Sequence, residues 1–222
     1  IYYGSIGKLL PCFVALGKES NVGSAFNAFD PNLLIAEVTR RMSLNTDLCD
    51  VAQGEVTIPP ISLKQADTKE GYTVQTALTA FSYYNFFTHG MSPDVVLEKS
   101  RQVGVEAFDS VVSYLNRQYE KYCALSGVPY TKLPWKTRVY TWKEFYAEAA
   151  AQHGQPFRDA IAAFAEKLQR EQPAMDLRYF SLAVTEEVWK WYEDKSPALV
   201  LFFGSVFSAR IEMTGKTAKE RA

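Results

Sequence analysis

The sequence predicts an all-α fold of seven or eight helices arranged in antiparallel hairpins, with an irregular N-terminal arm. Three observations predict it. Apolar residues recur three and four positions apart over most of the chain beyond residue 71, Gly and Pro punctuate that stretch where helices end and begin, and strand-type alternation is nearly absent from it. The expected organisation is an arm over 1–71, a helical domain over 72–213 and a frayed polar tail over 214–222.

The arm is broken by Gly4, Gly7, Pro11, Gly17, Gly23, Pro31, Gly54, Pro59 and Pro60, which interrupt regular structure. Its best helix starts at Asp30-Pro31, an N-cap acceptor followed by a residue suited to the first helical position, and carries Leu34, Val38 and Met42 on one face. Residues 56–61 read as extended because Pro59 and Pro60 bias their predecessors away from helix. Beyond Gly71, one helix is expected over 73–88. Another starts at Ser92-Pro93 and ends near Gly127, with Val105, Phe108, Val112, Leu115, Tyr119 and Tyr122 on one buried stripe. Thr141-Trp142-Lys143-Glu144 has capping-box spacing and opens a helix to His153. Gln155-Pro156 starts the next, with Phe157, Ile161, Phe164 and Leu168 on one face. One or two helices are expected over 174–194 and a last one from Ser196-Pro197 to about Met213.

Composition narrows the function classes. The 222 residues carry 24 Lys+Arg against 25 Asp+Glu, a formal charge of -1, so no global field draws the chain to nucleic acid or an anionic membrane. Cys12, Cys49 and Cys123 are widely spaced, contain no Cys-x-x-Cys and cannot all pair, which points to a reducing intracellular compartment, the cytoplasm or the mitochondrial matrix. The longest apolar run, 198–207, falls short of the roughly 18–20 residues that span a bilayer. The first residue is Ile1, not Met, so upstream residues have been processed away, as in an organellar protein, or were never included.

No motif specifies chemistry. Gly7-Lys8 and Gly215-Lys216-Thr217 lack the leading Gly of a phosphate-binding loop. His89 and His153 each precede a Gly, as helix-terminal histidines do, and neither has a metal-ligand partner at a usable spacing. The pairs Asp47 and Asp50, Glu186 and Glu187, and Glu193 and Asp194 have no spacing suited to magnesium and diphosphate. No catalytic residue, metal ligand or cofactor is therefore assigned. The strongest local feature is the basic aromatic loop in which Lys132, Lys136 and Arg138 interleave with Tyr130, Trp135 and Tyr140, a composition that serves nucleic-acid binding or a loop tied down by its own rings.

Residues 141–171, two helices joined at His153-Gly154-Gln155-Pro156 with Ala160 and Phe164 on the second, resemble one helical hairpin of the tetratricopeptide or pentatricopeptide type. The resemblance covers 31 residues and implies a helical-repeat packing unit.

The expected function is a non-catalytic structural or interaction subunit of a larger protein assembly, with an organellar respiratory or ATP synthase complex as the imagined setting. Its ground is an aromatic content of 14%, each buried ring removing roughly 150–250 Å² from water. The runs 81–87 and 199–207 are apolar around a whole helix, which makes Phe86, Phe87, Phe202 and Phe203 the interface candidates and other protein subunits the expected partners. Two alternatives remain. One is a helical-bundle enzyme or carrier holding a hydrophobic small molecule among Tyr83, Tyr84 and Trp189, with His89 or Glu186 as its polar group. The other is an RNA-binding helical-repeat module acting through the basic aromatic loop.

Overall fold

A computed structural model describes residues 4–52, 54–212 and 216–217. It is built on a six-stranded mixed sheet with helices on both faces, which overturns the all-α expectation.

In chain order the strands are β1 (Gly4–Ser5), β2 (Gly7–Leu9), β3 (Pro11–Leu16), β4 (Val51–Ala52), β5 (Glu55–Val56), β6 (Ile61–Asp67), β7 (Thr79–Thr88), β8 (Val139–Thr141), β9 (Ala198–Phe203) and β10 (Ile211–Glu212). The main helices are α1 (Pro31–Met42), α2 (Pro93–Ser126), α3 (Trp142–Glu171) and α4 (Leu177–Lys190). β2 and β3 follow one another antiparallel to β7, placing Leu9 opposite Phe86 and Cys12 opposite Tyr83, while β6 pairs with the far side of β7. On its other side β3 pairs antiparallel with β9, and β9 pairs parallel with β8. β4 with β5 and β1 with β10 form two small antiparallel ribbons outside the sheet.

Alternate residues of each central strand enter different cores. Phe13 and Ala15, Ala80, Tyr84 and Phe86, and Leu199 and Leu201 pack with α1 and α2, which contribute Leu34, Val38, Val103 and Phe108. Val14 and Leu16, Phe81, and Ala198 and Val200 pack with α3 and α4, which contribute Phe145, Phe157, Ile161, Val188 and Trp189. β3 is buried along its whole length.

Two expected helices are thereby corrected. The segment expected over 73–88 contains β7, and the one expected over 196–213 contains β9 and β10. A strand covered on both faces shows a continuous apolar run, and periodicity alone does not separate it from a buried helix. The irregular arm is corrected as well, since β3 within it is the centre of the sheet. The tail over 214–222 lies outside the described residues except for Lys216 and Thr217.

The remaining helices form where local chemistry places them. Asp30 caps α1 by accepting the Asn32 N–H at 2.9 Å, and Leu34, Val38 and Met42 are fully buried beneath it. α2 begins after Ser92 and stops at Gly127, whose φ of 69° is the left-handed conformation glycine adopts without strain. Its buried stripe runs through Val96, Val103, Ala107, Phe108 and Val111. Val112, Leu115 and Tyr119 pack only partly against it, and Tyr122 is 52% exposed, so the face is rotated from the expected one. Gly104 lets α2 approach the sheet, because a Cβ there would lie 3.0 Å from Leu199 Cδ2. Thr141 and Glu144 form the reciprocal capping box at the start of α3.

α3 is interrupted at Gly154, with φ 63° and ψ -141°, and the chain returns so that the Phe157 ring lies 5.0 Å from that of Tyr146. The helical-hairpin expectation is nonetheless corrected, because Phe145, Ala149, Phe157 and Ile161 share with α4 a core that is closed by a sheet face, as no helical array is.

Replacing Phe108 by Ala removes a fully buried ring stacked 5.1 Å from Phe29 between α2 and the sheet. Denaturant unfolding is expected to register a loss of about 3–5 kcal/mol.

Candidate interaction surface

Closing a sheet between two helical layers leaves its edges as the places where backbone donors and acceptors face outward. One edge is β8, three residues long, which runs straight into α3. The other is β6, which among the described strands has β7 as its sole neighbour. α1 fixes β6 from the helical side: Thr39 Oγ1 donates to Gln65 Oε1 at 2.7 Å and Asn32 Nδ2 to Asp67 Oδ2 at 2.9 Å. The register shifts between Ser62 and Lys64, so Leu63 is pushed out of the regular pleat and is 54% exposed. Ile61, Ile58 and Val56 are exposed on the approach to this bulge. Leu44, 67% exposed, is tied to the same place by its N–H donating to Pro60 O at 2.7 Å. The edge thus carries a run of apolar side chains beside a strand margin that has no partner strand among the described residues, the Ser62 N–H alone donating to Ser43 Oγ at 3.2 Å.

The four aromatic candidates divide. Phe86 points into the core shared with α1 and α2 and is fully buried, so it is withdrawn as an interface residue. Phe87 is half-buried on the opposite face of β7. Phe202 and Phe203 are half-buried at the end of β9, where they line a hollow with Trp142.

The basic aromatic loop is tied down by its rings. Trp135 is buried, edge-on to Phe29 at 6.0 Å, with the Lys18 ammonium 5.4 Å above its ring. Asn116 Oδ1 accepts from both Tyr130 Oη at 3.0 Å and the Leu133 N–H at 2.9 Å. Arg138 donates to Ser196 O at 2.7 Å, pairs with Asp194 at 3.2 Å and lies over the Tyr140 and Trp189 rings. Tyr140 is half-buried near Phe145 and Tyr192, and burial pushes its hydroxyl above the ordinary tyrosine range. Lys132 and Lys136 are exposed. Rings that would stack on bases are mostly committed to the fold.

His153 closes the first half of α3 and its Nε2 lies 2.7 Å from Trp191 O. His89 is corrected from a helix end to the end of β7, where it opens a turn organised by Asp50. The three successive N–H groups of His89, Gly90 and Met91 each donate to Asp50 Oδ2 at 2.7 Å, and the Asp50 N–H donates to Thr57 Oγ1. Burial pushes the Asp50 carboxyl up, but the three N–H donors outweigh it and hold the group below the ordinary aspartate range. Asp50 was passed over in the sequence because nothing at 50 signals a partner loop forty residues away.

Cys12 is buried against Gly204, and desolvation pushes its thiol up to about 12. This makes it an inert packing residue.

Asp50→Ala strands three N–H groups in the turn before α2 and is expected to cost about 3 kcal/mol, measured by thermal or urea unfolding. Because its folded pKa is depressed, this stabilisation is present above the ordinary aspartate pKa and disappears as pH falls through the depressed value. Wild type should therefore lose more stability on acidification than the variant does. For the basic loop, reversing Lys132 and Lys136 to Glu should leave stability within about 0.5 kcal/mol of wild type, whereas Arg138→Glu should destabilise measurably through loss of its contacts with Ser196 and Asp194.

No protein-family model matches the chain. It is 30% identical over 231 aligned residues to Protein RocB of Bacillus subtilis (strain 168), covering 100% of this chain and 40% of RocB. It is 29% identical over 204 residues to the uncharacterized protein YqjN of the same bacterium, covering 91% of this chain and 36% of YqjN. The chain thus spans about two fifths of the length of these relatives. Both being bacterial, the mitochondrial setting is withdrawn. Among the described residues no helix is long and apolar enough to cross a membrane.

Proposed function

We propose that this polypeptide is a non-catalytic interaction module of a larger protein or assembly, and that its β6 edge receives a strand of a partner polypeptide. The observation that carries this reading is a strand paired on one side whose exposed Ile61 and Leu63 follow the exposed Val56 and Ile58 that lead into it. Strand addition uses both features at once, the open backbone margin supplying hydrogen bonds and the apolar side chains supplying buried area. Lys64 and the bulge on the same edge discourage indiscriminate pairing, which favours a specific partner over aggregation. The greater length of the relatives supports a module within a longer chain. Three unpaired cysteines support a reducing compartment.

The two alternatives gain less. Tyr84 and Trp189 lie in cores on opposite faces of the sheet, so they do not line one cavity with Tyr83 as a carrier would require. A base-stacking surface keeps only Tyr130 of the three loop rings exposed, Trp135 being buried and Tyr140 half-buried.

Amide exchange over 61–67, compared between the isolated chain and the protein purified with its natural partners, tests the reading. An occupied edge should slow the outward N–H groups by about tenfold or more, and Leu63→Asp should release the partner while leaving the unfolding midpoint nearly unchanged. Equal exchange in both preparations would overturn it.

A further inference from the structure

Separately from the β6 edge, the parallel pair of strands leaves a recess where β8 stops and β9 continues. Thr141, the last residue of β8, pairs in register with Leu201 of β9, so Trp142 opens α3 beside Phe202 and Phe203, the last two residues of β9, which stay paired with β3. α4 passes beside this point and contributes Phe180 and Val184. Between them is a hollow of about 250 Å³. Crevices outside the carboxyl ends of strands are where α/β sheets hold ligands. The size sets the scale of the occupant: a cavity of roughly 150 Å³ with apolar walls holds benzene, so this one admits a single substituted ring or a fused pair.

Its chemistry sets the class. The walls are the rings of Trp142, Phe180 and Phe202 with Val184 between them, all on the α3 and α4 side of the sheet, while the Phe203 ring packs on the other side. Of the two hydroxyl residues of α4 at the hollow, Thr185 is fully buried and donates to Ser181 O at 2.7 Å, which leaves the half-buried Ser181 as the one within reach of an occupant. Ser181 Oγ has no hydrogen-bond partner among the described residues. The helix N-terminus at the mouth disfavours an anion, because the Thr141 and Glu144 capping box takes up the Glu144 N–H and places a carboxylate there. Arg178, one turn before Ser181 on α4, is paired with Asp176 and lies over the Tyr83 ring. An uncharged ring fits these groups and a phosphate or carboxylate does not.

We infer that this hollow is a binding site for a small, uncharged aromatic molecule carrying one hydrogen-bond donor, its ring held among Trp142, Phe180 and Phe202 and its donor received by Ser181. The test uses phenol as the probe and toluene as its counterpart without a donor, titrated into the full chain labelled with 5-fluorotryptophan. The Trp142 fluorine resonance, assigned through Trp142→Phe, is the readout. Phenol should shift it saturably with a dissociation constant on the order of 1 mM, the range open to a ligand of so few atoms. Ser181→Ala should weaken phenol several-fold while leaving toluene unchanged, and Val184→Phe, which fills the hollow, should weaken both by about tenfold. If Val184→Phe fails to fold, the wild-type titration and Ser181→Ala still decide the matter. A Trp142 resonance that does not saturate, or phenol and toluene affinities equally indifferent to Ser181→Ala, would overturn the inference.

Discussion

Every layer of this molecule is fixed by the burial of β3 on both faces. Six consecutive residues, Pro11 to Leu16, are all buried, and each large apolar side chain so placed contributes about 1.5–3 kcal/mol relative to exposure. A strand in that position cannot satisfy its backbone alone. β7 and β9 must flank it to pair its N–H and C=O groups, and two helical layers must cover its alternating side chains. Phe13 requires α1 and α2; Val14 requires α3 and α4.

The helices meet this demand in different ways. α1 and α2 lie close to the sheet, and Gly104 permits that approach against Leu199, Phe13 and Val139. α3 and α4 instead cover their face with rings, Phe145 stacking on Tyr192 at 4.7 Å and on Trp189 at 6.2 Å. The aromatic richness of the chain is largely spent here, inside the fold. The basic aromatic loop belongs to the same economy, its Trp135 sealing one core and its Arg138 clamping Asp194 and Ser196 beside the other.

What is left outside follows from the same geometry. Covering both faces exposes edges and strand ends, and the apolar groups still in contact with solvent collect there. The β6 margin carries Leu63 and Ile61, and the ends of β8 and β9 carry Trp142, Phe202 and Phe203 around a hollow. Neither place stands out in the linear sequence. The interface candidates Phe86 and Phe87 are adjacent in the chain yet point to opposite faces, and Phe86 is core because a strand alternates where a helix would not.

The sequence by itself determined the pieces whose causes are local. Asp30-Pro31 starts α1, Ser92-Pro93 starts α2, Gly127 stops it, and Thr141 with Glu144 caps α3, since each signal acts through hydrogen bonds and dihedral preferences within one turn. Tertiary structure decided β3, β7 and β9. Their side chains meet partners far away in the chain, as Phe13 meets Leu201, and burial on both faces erases the alternation that marks a strand. The turn at Asp50, the exposed margin of β6 and the hollow at Trp142 were invisible for the same reason: each joins residues that only the sheet brings together.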